Sequence, residues 1–80
     1  MQKTLEELGK EYLESAKIIE ALIKKYRGIL REAYSSGNYL KTYDTKRRLT
    51  IFYDQKRELE AIGNKLINYY NKEDNSDELH

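Results

Sequence analysis

The chain has no cysteine, so neither a disulfide nor a thiolate metal site can staple it. Its single histidine is the last residue, His80, which rules out the His–carboxylate ligand sets that helical bundles use to hold metals. Proline is absent too, and Leu, Ile, Lys, Glu and Arg dominate, the composition of long helices. No apolar run approaches the length of a membrane span, and Met1-Gln2-Lys3-Thr4-Leu5-Glu6-Glu7 lacks the apolar stretch of a signal peptide. The closing Asp77-Glu78-Leu79-His80 differs from ER-retention signals, which end in leucine. These absences predict a cytoplasmic protein with no membrane contact. Lys, Asn, Ile and Tyr supply 30 of the 80 residues, and all have AT-rich codons, which points to a bacterial or mobile-element genome.

Apolar residues are also in short supply. Eighty residues with 36% charge make one small domain, near the size at which a single core is only marginally stable. Without a disulfide or a metal, the remaining remedy for a thin helical core is oligomerisation.

What is present is charge divided by position. Residues 24–57 hold ten bases and three acids, and the two flanks hold five bases and eleven acids, so a +7 middle sits between flanks totalling −6. If the chain folds back at Ser36-Gly37-Asn38, the middle becomes a basic tip and the flanks an acidic base.

Two helices account for the pattern. Thr4 with Glu7 matches a capping box, and it precedes an apolar series at steps of three and four: Leu5, Leu8, Tyr12, Ala16, Ile19, Leu22, Ile23, Tyr26, Leu30 and Ala33. Helix 1 is therefore predicted over about 5–34, with a turn over 35–38 or longer, where Gly37 can take a left-handed conformation and Asn38 can cap the next helix. Helix 2 carries Leu49, Phe52, Tyr53, Leu59, Ile62, Gly63, Leu66, Ile67 and Tyr70 and ends near 71. Leu40 and Tyr43 fall out of phase with that stripe, so its start lies at either 39 or 45. The domain is 1–72, and 73–80 reads as a disordered acidic tail.

The fold expected is all-α, an antiparallel two-helix hairpin of coiled-coil character that dimerises into a four-helix bundle. Its hairpin and dimer core comprises Leu8, Tyr12, Ile19, Leu22, Ile23, Tyr26, Leu49, Phe52, Leu59, Gly63, Leu66 and Tyr70. A short connection sets Tyr12 against Gly63, Leu22 and Ile23 against Phe52, Tyr26 against Leu49, Ile19 against Lys56, Lys17 against Glu58 and Arg31 against Asp44. Leu13, Ile18, Ile29 and Ile51 are left over, which is the reason to expect a homodimer.

The tip holds the candidate site. Arg31, Lys41, Lys46, Arg47 and Arg48 can attract phosphates, and Tyr39 and Tyr43 can stack on unpaired bases. Bases at the start of a helix oppose its macrodipole, so the Lys46-Arg47-Arg48 cluster needs a reason that helix 1 does not. Short basic clusters nonetheless occur widely on solvated helix faces, and a solvated face with self-association ranks above nucleic-acid binding.

Glu11 with Glu14 and Glu58 with Glu60 read as solvated charge, not as an acid–base pair. Small helical chorismate mutases are similar in size and in their long first helix, but they use a third helix and inward-facing cations. Here the stripes carry Ile19, Tyr26 and Leu59 at such places. Catalytic, cofactor-binding and metal residues are therefore none. The expected function is a small non-enzymatic interaction module, accessory or regulatory, that self-associates or binds another protein. The alternative is a nucleic-acid-binding accessory protein using the basic, tyrosine-rich tip.

Overall fold

The structure, a computed structural model, describes the backbone from Thr4 to Leu79 and side chains from Thr4 to Tyr69. It is an all-α hairpin of two long helices, α1 (Leu5–Ser36) and α2 (Tyr39–Leu79), with no strand among the described residues. The backbone of α2 continues to Leu79, past its expected end near 71 and into the segment 73–80 expected as a disordered tail, while the expectation of Tyr70 in the core falls on a side chain outside those described.

Local chemistry sets the helix ends. The Thr4 hydroxyl accepts from the Glu7 backbone N–H at 3.1 Å, and Glu6 and Glu7 place negative charge in the first turn of α1. At the far end Gly37 takes φ 69° and ψ 22°, where a β-carbon would be strained. The Gly37 N–H donates to the Tyr34 carbonyl at 3.2 Å and the Asn38 N–H to the Ala33 carbonyl at 3.0 Å, a Schellman closure. Asn38 then caps α2, its Oδ1 accepting from the Lys41 N–H at 3.0 Å. Gly37 and Asn38 are the whole connection, so α2 has the earlier of its two candidate starts. Leu40 and Tyr43 are out of phase for a different reason than a late helix start. Leu40 precedes the first seam residue, Thr42, and Tyr43 points off the seam between Thr42 and Thr45, leaving them 86% and 69% exposed.

The seam is a heptad on both helices. In α1 the buried and half-buried positions include Leu5, Gly9, Tyr12, Ala16, Ile19, Ile23, Tyr26, Leu30 and Ala33, alternating by four and three. In α2 they include Thr42, Thr45, Leu49, Phe52, Lys56, Leu59, Gly63 and Leu66 with the same alternation. Tyr26 meets Phe52 edge-to-face, centroids 5.1 Å apart.

Register is fixed at the open end by two glycines. A β-carbon on Gly63 would lie 2.8 Å from Leu13 Cδ2 and 2.9 Å from the Gly9 carbonyl oxygen. One on Gly9 would lie 2.7 Å from Ile67 Cγ1 and 2.8 Å from the Gly63 carbonyl oxygen. The backbones touch here because neither has a side chain. Gly63 is thus matched by Gly9 and Leu13, and the expected Tyr12–Gly63 pairing is corrected. Leu13 is not left over, since it fills the space beside Gly63.

The expected cross-helix ion pairs are also corrected. Asp44 bonds Arg48 on its own helix rather than Arg31, and the four described ion pairs each lie within one helix. Pairs four residues apart are held by the helix itself, whereas a cross-helix pair must order two long side chains.

Candidate interaction surfaces

A molecule 59 × 33 × 13 Å is one helix thick in its narrowest direction, so both broad sides of the seam are surface. The two sides differ in chemistry. On one, α1 presents Leu13, Glu20, Arg27 and Tyr34 at seven-residue spacing beside Lys46, Tyr53, Glu60 and Ile67 of α2. Glu20, Ile23, Lys24, Arg27, Tyr53 and Lys56 line a hollow there, and Lys46 Nζ sits 5.0 Å above the Tyr34 ring. The Lys56 stem reaches past the seam to Glu60 at 3.6 Å, which lets a lysine occupy a seam position.

The other side is more apolar. Leu8, Ser15, Leu22 and Ile29 run along α1, and Arg48, Gln55, Ile62 and Tyr69 along α2. Leu8, Glu11, Tyr12, Ser15 and Leu59 line one hollow, and Gln55, Glu58, Leu59 and Ile62 the next. Ile18 and Ile51 stand at its outer edges, 65% and 49% exposed. Leu8 and Leu22, both expected in the hairpin and dimer core, lie on this flank outside the hairpin seam, Leu8 36% exposed and Leu22 half-buried. Of the four residues left over in sequence, Ile18 and Ile51 remain uncovered, while Ile29 is half-buried.

At the tip, all seven candidate contact residues are exposed, but they do not converge. Successive helix residues turn by about 100°, so Lys46 and Arg48 point about 160° apart. Lys46 lies over Tyr34, whereas the Arg48 Nε donates to Asp44 Oδ2 at 3.0 Å. That hydrogen bond, the Asp44 charge and then Tyr26 raise the Arg48 guanidinium above its ordinary value, so it stays charged. Tyr39, Tyr43 and Lys46 do share one stripe of α2, with Tyr39 87% exposed and Arg47 beside them. Arg31 stands apart on α1, and Lys41 is tied by its backbone to the Asn38 cap.

Sequence reasoning missed Gly9 and Thr45, both buried. The signal was there: Gly9 lies seven residues before Ala16, and Thr45 lies seven before Phe52. Small and polar residues carry heptad phase without carrying hydrophobicity, so an apolar search passes over them.

Among the described residues no group of three His, Cys, Asp or Glu side chains is placed to hold a metal. No helix among them is long and apolar enough to cross a membrane. Comparison with protein-family models, curated proteins and solved structures gives no significant match. The fold and its surfaces define an antiparallel helical hairpin with one charged side and one uncovered apolar side.

Proposed function

We propose that this protein is a small non-enzymatic interaction module, accessory or regulatory, that self-associates through the apolar side of its seam. One observation carries the reading: Ile18, Ile51, Ile62, Leu8 and Tyr69 are all more than a third exposed and share that side, which no third helix among the described residues covers. Apolar side chains clustered on one side of a two-helix protein favour a partner surface, and a second hairpin completes a four-helix bundle.

Analytical ultracentrifugation tests this. The native chain is expected to sediment as a dimer at micromolar concentration. Ile18→Glu is expected to weaken that dimer by about 100-fold, because it buries an unpaired carboxylate in the interface. The helical circular dichroism should be unchanged, because Ile18 lies outside the hairpin seam. A native chain that sediments as a monomer at every concentration defeats the reading.

The stripe of Tyr39, Tyr43 and Lys46 supports a second reading, contact with single-stranded nucleic acid at the tip. Titrating a labelled oligonucleotide at two salt concentrations separates the two. Binding that falls steeply with salt and disappears in an Arg47→Glu, Arg48→Glu variant favours the nucleic-acid role, and no binding at low salt removes it.

A further inference from the structure

We propose that the uncovered edge of α1 is a second helix–helix seam, shaped to receive α1 of another copy running in the opposite direction. The inference rests on the self-association reading and adds to it the surface and the orientation.

From Leu8 to Ile29 this edge advances by alternating steps of three and four, as a packing seam does. Its order is nearly palindromic about Ile18. Reversing one copy against the other sets Leu8 on Ile29 of the second copy and Ser15 on its Leu22. Ile18, the most exposed of the edge's apolar residues at 65%, meets its own counterpart on the two-fold axis. The same reversal sets Glu11 beside Lys25 of the second copy, twice by symmetry.

Orientation follows from what the alternative would place together. If the copies stacked without reversal, α1 would lie on α2 of the second copy at the same height. The hairpin register, with Gly9 against Ile67 and Leu13 against Gly63, gives those heights. Ile18 would then face Glu58, Lys25 would face Ile51, and Ile29 would face Arg48. Apolar groups would meet charges at Ile18, Ile29 and Ile51, which costs desolvation without repaying it, against only Leu8 on Tyr69 and Glu11 beside Lys65 in its favour. Reversal puts like with like on α1 and opposite charges together. On α2 it puts Gln55 near Ile62 and Arg48 near Tyr69, while Glu58 meets its own copy and Ile51 meets Lys65 at the outer edge, where water still reaches the charges. It also lays the basic tip of each copy against the acidic open end of the other, whose exposed acids include Glu6 and Glu7.

The absence of cysteine makes a clean test available. Chains carrying Leu8→Cys and chains carrying Ile29→Cys are mixed, oxidised and separated, with the reduced mixture sedimented in parallel. Two cysteines bridge only when their Cα atoms are within about 7 Å, and residues 8 and 29 of one helix lie about 30 Å apart. The expected result is a mixed disulfide dimer many-fold in excess of either like-with-like product. A chain that sediments as a dimer but gives no mixed product, or links Leu8→Cys to Tyr69→Cys instead, overturns this orientation and leaves self-association standing. A monomer overturns both. The charge pair gives a second measure: Glu11→Lys should raise the dimer dissociation constant severalfold, and adding Lys25→Glu should restore it. Loss without restoration also overturns the reversed pairing.

Discussion

Gly63→Leu is expected to cost about 3 kcal/mol of hairpin stability, the upper part of the range for overpacking. In ordinary helix interiors the sign is opposite, since replacing glycine by alanine gains about 1 kcal/mol of helix propensity. The Gly63 site reverses that because a β-carbon there would stand 2.8 Å from Leu13 Cδ2 and 2.9 Å from the Gly9 carbonyl oxygen. A leucine side chain can turn aside, but a helix carbonyl cannot. The helices would have to separate at the point that sets their register. Gly28 is the internal control, with nothing within 4 Å of its β-carbon position, so Gly28→Ala should stabilise by about 1 kcal/mol. Urea unfolding of the two variants at one protein concentration checks both signs. Equal effects would show that the glycine contact does not set the register.

Ile23→Ala is expected to be comparably damaging, at about 3 kcal/mol. Ile23 and Leu49 are the only large apolar side chains among the described residues that are buried, at 4% and 6% exposure. Most other seam residues are half-buried, because two helices cannot enclose a side chain from every direction. Removing one of two anchors from a core this thin leaves a cavity that small neighbours such as Ala16 cannot fill. Ile18→Ala is the contrast: at 65% exposure it should change hairpin stability by less than about 0.5 kcal/mol when the chain is monomeric. Its effect belongs to assembly, so thermal unfolding at low and high protein concentration separates the two.

The charge division read from the sequence takes on a narrower meaning in three dimensions. The basic residues do gather at one end of the hairpin, but Lys46 and Arg48 are directed to different sides and each has a contact within the chain. The tip is a basic end more than a binding cleft. Its tyrosines are another matter, since Tyr39 and Tyr43 stay exposed.

Local features were legible in the amino-acid order. Thr4, Gly37 and Asn38 mark helix ends because capping depends on neighbours within four residues, and those are written in order along the chain. The spacing from Tyr12 to Ala33 likewise carried the seam of α1, because periodicity survives without knowledge of the partner. The start of α2 was not legible. Tyr39 and Leu40 precede the seam and Tyr43 points off it, while the residues that carry the seam there, Thr42 and Thr45, are polar and give no apolar stripe. The register was not legible either. A short turn fixes the pairing to within a residue or two, and one step decides whether Gly63 meets Tyr12 or Leu13. That choice belongs to the tertiary structure, because it depends on how closely two backbones approach where neither Gly9 nor Gly63 has a side chain to hold them apart.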